Sequence, residues 1–200
     1  MSFHPQMPYG TPLWHKSERK LAHEGPAFEF TPENRRRLEE VAARYPAERR
    51  VSAVLHALYL VQEQQGYISG NAMQQVAEAI GCSRAQVEDV VSYYVMFFTM
   101  PVGKYVLQVC RTLSCALNGA ERVTEVLSRK LGIGLGETDA RGEFTLIEME
   151  CLGACDRAPV VMVNNEHWHE CQRPEDVDAL VDGLRERGLA ALSGCHHRKE

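Results

Sequence analysis

The chain has no apolar run of the roughly 18 residues that a membrane-spanning helix requires. Its most apolar window, residues 87–100, is interrupted by Glu88, Asp89, Ser92 and Thr99. This argues against direct membrane insertion. The opening stretch, MSFHPQMPYGTPLWHKSERK, lacks the basic-then-apolar layout of a secretory signal and is poor in arginine. Positive charge is not in excess: 22 Lys and Arg face 27 Asp and Glu, a net charge of -5. That balance argues against a nucleic-acid partner, which usually calls for a basic surplus. Fifteen glycines and nine prolines in 200 residues are too few for collagenous or low-complexity chains, and 44% apolar content excludes wholesale disorder. There is no C-x-x-C, so a dithiol oxidoreductase of thioredoxin type lacks its reactive pair. Gly132, Gly134 and Gly136 are spaced G-x-G-x-G, which is not a dinucleotide fingerprint. No His–carboxylate–nucleophile set stands out, so no catalytic residue is assigned.

What the chain does have is punctuation. Residues 1–27 hold Pro5, Pro8, Pro12 and Pro26 without periodicity and read as an irregular arm, with Trp14 as a candidate anchor. Thr31-Pro32-Glu33 is a helix start, followed by Leu38, Val41, Ala42 and Tyr45 at helical spacing. Val51, Val54, Leu55, Leu58 and Val61 repeat the pattern up to Gly66. Met73, Val76, Ala77 and Ile80 mark a third helix ending at Gly81. Ser83 caps a fourth, expected to turn Val87, Val90, Val91, Tyr94 and Val95 inward. Residues 28–100 are therefore expected to form a helical bundle.

The pattern changes at Pro101. Tyr105, Leu107 and Val109 alternate with Val106 and Gln108, as in a strand. A helix with Val123, Val126, Leu127 and Leu131 follows. Residues 144–147, 160–163 and a segment around Trp168 are three more strands, and a helix from about Pro174 to Arg187 closes the unit. The fold class is α+β: a helical bundle, then an α/β domain over residues 101–188 with the order β-α-β-β-β-α. Residues 189–200 are expected to be a tail.

Seven cysteines are many for a chain expected in a reducing compartment, and seven is an odd count for a disulfide framework. Cys110-x4-Cys115 and Cys151-x3-Cys155 each fall just after an expected strand. Adjacent strands would bring both pairs to one sheet edge. Four thiolates suit a [2Fe–2S] cluster or zinc. The x4 and x3 spacings fit the usual C-x2-C of zinc sites poorly, but spacing alone leaves zinc open. Small neighbours, Gly119, Ala120, Gly153 and Ala154, would let backbone N–H groups approach the sulfurs. Cys82, Cys171 and Cys195 are expected to be bystanders, and His167 and His169 to be exposed on one side of a strand.

The run YVMFFTMPVGKY (residues 94–105), then VCRTLSC, then ECLGACDRAPVVMVN, resembles a family of NADH-quinone oxidoreductase chains. These are the small iron–sulfur subunits of the NADH-oxidising module of respiratory complex I. GYISGNAMQQVAEAIG extends the resemblance into the helical half, and together it covers about residues 30–187. Cys171, the His-rich stretch around Trp168 and the N-terminal arm depart from it. The resemblance implies a thioredoxin-like fold for the second half and one [2Fe–2S] cluster on Cys110, Cys115, Cys151 and Cys155. It implies electron transfer as the function, with FMN and NADH bound by a partner subunit and a larger iron–sulfur subunit in the same module. An NAD-linked hydrogenase or formate dehydrogenase module is the neighbouring alternative. The expected location is cytoplasmic, peripheral on the inner membrane through the complex, or the matrix side in a mitochondrion. Thioredoxin-like chains also often carry a cis-proline where Pro159 stands. A redox-sensing helix-turn-helix regulator is a competing class, because residues 72–94 mimic that motif. Glu88 and Asp89 on the would-be recognition helix, offset only by Arg84, argue against it.

Overall fold

The computed structural model describes residues 24–192, which fall into two compact units that divide after Pro101. The expectations for Trp14, for Cys195 and for most of the arm and tail lie outside the described residues.

The first unit is helical. Helix α1 (Pro32–Ala42) starts where the Thr31 hydroxyl accepts the Asn34 N–H at 3.2 Å, with Pro32 in the first turn. Helix α2 spans Val54–Gln65 and ends at Gly66, whose φ of 86° is the left-handed conformation that glycine adopts without strain. Helices α3 (Gly70–Ile80) and α4 (Arg84–Tyr93) are capped by Ser69 and Ser83, the latter in a reciprocal box with Gln86. Leu38, Leu58, Val61, Ile68, Val76 and Phe97 are its fully enclosed centre. Gln62 pins the chain after α4: its amide donates to the Met96 carbonyl and its Oε1 accepts from the Phe98 N–H.

Two expectations for this unit are corrected. Residues Ala47–Ala53 form a 3-10 segment before α2, so the tighter winding turns Val51 outward. At the other end, Tyr94 is an extended cap, and Val95 is exposed rather than inward.

The second unit is a four-stranded mixed sheet in the order β2-β1-β3-β4, formed by β1 (Tyr105–Cys110), β2 (Phe144–Met149), β3 (Val161–Val163) and β4 (His167–His169). β1 and β2 run parallel, in register from Tyr105 with Phe144 to Cys110 with Met149. The short helix α5 (Leu113–Leu117) and α6 (Ala120–Leu131) make the crossover between them, as a parallel pair requires. β3 pairs antiparallel with both β1 and β4. Its turn to β4 uses Asn164 and Asn165 at φ of 55° and 62°, the positive values that tight hairpins need. With α7 (Val177–Arg187), α6 contributes to the apolar cluster built on Leu107, Val109, Phe144, Leu146 and Val161. Gly188–Leu192 continues as a 3-10 turn with Leu192 buried, so residues 189–192 pack with the unit.

Every residue of β1 is buried, which the alternating pattern does not predict for Gln108. The Gln108 amide is satisfied instead by Asn165: it donates to Oδ1 at 2.7 Å and accepts the backbone N–H at 2.8 Å.

His169 also departs from expectation, at 6% exposure. Burial, with the neighbouring His167 charge second, takes its imidazole down to about 4. Between pH 6.5 and 4 the unfolded chain therefore binds a proton that the folded chain does not, so stability falls as pH drops through that window. The expected loss reaches about 3 kcal/mol at pH 4. His169→Gln should remove that part of the slope in denaturation midpoints measured between pH 7 and pH 4; a slope identical to the parent's would refute it.

Candidate metal centre

The parallel register of β1 and β2 places their C-terminal ends side by side, and both cysteine pairs follow from those ends. Cys110 is the last residue of β1, and Cys115 sits within α5; both are 2% exposed. Cys151 follows β2 in a loop and Cys155 opens the 3-10 turn Cys155–Arg157; both are exposed. The expectation of cysteines in loops after strands thus holds for Cys151 alone. Cys110 closes the strand itself, and Cys115 and Cys155 each stand in a short helical turn.

The two segments are stitched together on both sides. The Arg111 N–H donates to the Met149 carbonyl at 3.0 Å, and the Arg111 guanidinium meets Glu150 at 2.6 Å. On the other side, the Cys110 N–H donates to the Val160 carbonyl beyond the second pair. The Ala158–Pro159 peptide preceding it is cis.

Within the site, the Cys151 and Cys155 sulfurs are 3.4 Å apart. The Cys110 sulfur lies 3.3 Å from the Thr112 hydroxyl. The Gly153 N–H donates to Cys151 Sγ at 3.4 Å, and the Trp168 indole N–H donates to the Leu152 carbonyl at 2.9 Å. The Gly119 N–H, by contrast, donates to the Ala116 carbonyl and is not turned to a sulfur. What Gly119 supplies is a φ of 89°, which separates α5 from α6.

These contacts split each pair electrostatically. Burial pushes the Cys110 thiol up, but hydrogen bonds with the Thr112 side chain and backbone, the Leu152 backbone and Cys115 outweigh it and leave it below the usual range. Cys115, by burial first and its hydrogen bond with Cys110 second, is pushed up to about 12. Cys151 is lowered by the Gly153 backbone, then by Cys155 and Thr112. Cys155 is raised by its hydrogen bond with Cys151 and by that neighbour's charge. Each pair therefore joins one acidified sulfur to one that gives up its proton less readily. The thiolate is the form that binds metal.

Among the described residues, no three His, Cys, Asp or Glu side chains close around a single point. The sulfurs instead stand as two neighbouring pairs, and the hydrogen bonds and charges acting on them link each pair to the other. Two donors from each side fit a dinuclear group, and the all-thiol donor set with an N–H aimed at sulfur suits iron–sulfur chemistry.

Cys82 is half-buried against the helical core, where burial raises its thiol. Cys171 is half-buried at a φ of 51°, its N–H donating to the Arg157 carbonyl. Two further contributors, Thr112 and the Arg111–Glu150 pair, do not stand out in the sequence. A hydroxyl two residues after Cys110 is the available signal for the first; the second needs the strand register.

Residues 38–185 match the family described as thioredoxin-like [2Fe–2S] ferredoxin. Subunit 2 of the NADH-quinone oxidoreductase of Thermus thermophilus is 43% identical over 148 residues, covering 74% of this chain and 82% of that one. An NADH-quinone oxidoreductase subunit of Rhizobium meliloti is 39% identical, covering 76% of this chain and 88% of that one. Among solved structures, an NAD+-reducing [NiFe]-hydrogenase shares the fold at a TM-score of 0.57 and 18% identity. That likeness covers 66% of this chain and 22% of the hydrogenase chain.

Proposed function

The chain belongs to the thioredoxin-like [2Fe–2S] ferredoxin family, and from that premise we propose that it is the electron-transfer subunit of an NADH:quinone oxidoreductase. Cys110, Cys115, Cys151 and Cys155 are the proposed ligands. The observation that carries this is the meeting of two cysteine pairs at the ends of two parallel strands, one pair buried and one exposed.

When bound, a [2Fe–2S] cluster supplies one-electron chemistry. The protein's own residues do the rest. Thr112 and the Gly153 N–H stabilise negative charge on the sulfurs, and the buried strand end keeps water from one side of the site. Cys151 and Cys155 face outward, which suits transfer to a partner docked against that side. The flavin and NADH then belong to that partner, and a larger iron–sulfur subunit takes the electrons onward. No helix among the described residues is long and apolar enough to cross a membrane. Attachment to the cytoplasmic or matrix face would then come through the complex.

The full chain purified without oxygen should be red-brown, with iron and acid-labile sulfide in equal amounts. Reduction by dithionite should produce the paramagnetic signal of a [2Fe–2S] centre. A colourless protein carrying stoichiometric zinc would overturn the reading.

A further inference from the structure

The Trp168 indole N–H and the Cys151 sulfur are connected through a single peptide unit. The indole donates to the Leu152 carbonyl oxygen at 2.9 Å, and the Gly153 N–H of the same peptide donates to Cys151 Sγ at 3.4 Å. The C=O and N–H of one peptide lie in one plane, so holding the oxygen fixes where the N–H points. We propose that Trp168 is a positioning residue that aims this N–H at Cys151 and thereby sets the reduction potential of the group the four cysteines hold. The inference rests on the ligand set proposed above.

Three observations support it. The peptide is anchored on one side only: Leu152 is partly buried against the α/β core, whereas Gly153 has a φ of 83° and a Cβ built there would meet nothing within 4 Å. The Gly153 side therefore offers no packing that fixes the peptide plane. Trp168, in contrast, stands on a strand, paired with Met162 across the β3–β4 ladder, so the donor is presented from a fixed element. Finally, Trp168 is 42% exposed, more than a core residue would be. A large exposed indole whose N–H reaches the ligand loop, 16 residues back in the chain, is placed for the hydrogen bond more than for packing.

The direction of the effect follows from charge. An N–H aimed at a ligand sulfur favours the more negative, reduced state over the oxidised one. Hydrogen bonds in series also polarise one another, so the indole strengthens the Gly153 donor as well as orienting it. Without the indole, water satisfies the Leu152 oxygen at this exposed site and the fold survives. Water does not fix the direction of the peptide, so the sulfur loses part of its donor.

The test uses the full chain with its cluster, comparing the parent with Trp168→Phe and with Trp168 replaced by benzothienylalanine, which keeps the bicyclic shape and lacks the N–H. Redox titrations followed by paramagnetic resonance should show both variants fully loaded but harder to reduce. The equilibrium constant for reduction should fall on the order of tenfold, about 59 mV for a one-electron couple. Loaded variants that titrate with the parent overturn the inference. So does a shift in the Phe variant alone, because ring packing would then be the cause. Amide exchange at Gly153 in the metal-free protein reads the hydrogen bond independently. It should be faster in both variants, and unchanged exchange overturns the inference even if the chain binds no [2Fe–2S] cluster. A missing cluster signal in the parent overturns instead the function proposed above.

Discussion

Cys151→Ala should yield a protein that folds and elutes as the parent does but has lost its colour. Cys151 is exposed, and its sulfur meets Cys155 and the Gly153 N–H of its own loop, so alanine removes a sulfur without opening a cavity. Loss of a group that merely supports a ligand typically weakens metal binding 10–100-fold. Loss of a ligand should therefore lower iron content by more than about tenfold under the same reconstitution. Cys171→Ala is the matched control. It removes a half-buried cysteine at the same modest cost in volume and should leave iron content and the reduced-state signal intact. If iron analysis finds the two variants alike, the ligand assignment is wrong.

The largest effect on stability is expected at Phe144. Its ring is fully enclosed, packs 5.4 Å from the Tyr105 ring and lies under the Arg185 guanidinium at 5.3 Å. It also begins the parallel register on which the site depends. Phe144→Ala removes that burial and leaves a cavity, a combination that costs about 3–5 kcal/mol. Denaturation monitored by near-ultraviolet circular dichroism should show the transition of the α/β unit at markedly lower denaturant. A midpoint close to the parent's would mean that the Phe144 site collapses to fill the space.

The helical unit is legible where local chemistry decides. Thr31-Pro32, Ser83, and the glycines at 66 and 81 are capping signals that act within one turn, and each does so in the structure. Val51 departs from its pattern because its spacing continues that of α2, whereas the chain there is wound as a 3-10 helix, and that choice belongs to tertiary packing. The same limit applies to the sheet. Alternation in β1 predicts two different faces, but burial of both is a fact of the whole molecule, and the Gln108–Asn165 pairing that satisfies it spans 57 residues.

The burial of His169 is hidden from the sequence for a related reason. A three-residue edge strand carries too little pattern to tell its inner face from its outer one. At the site, the cysteine spacings point to the two segments that meet, since strand ends can be read from sequence. The contacts that differentiate the sulfurs cannot be read so, because they come from Thr112, Leu152 and Gly153, whose orientations depend on how the two strand ends meet.

The parallel pairing of β1 with β2 also bears on what a bound group does for the fold. Cys110 and the segment that carries Cys151 are neighbours because the two strand ends are paired in parallel across the α5–α6 crossover. Any group that grips both closes a chain loop of roughly forty residues, so it acts on the finished sheet as a cross-link does, favouring the state in which that loop is already closed. Loss of the cofactor should loosen the end of the sheet at Cys110 before it reaches the core around Leu107 and Phe144.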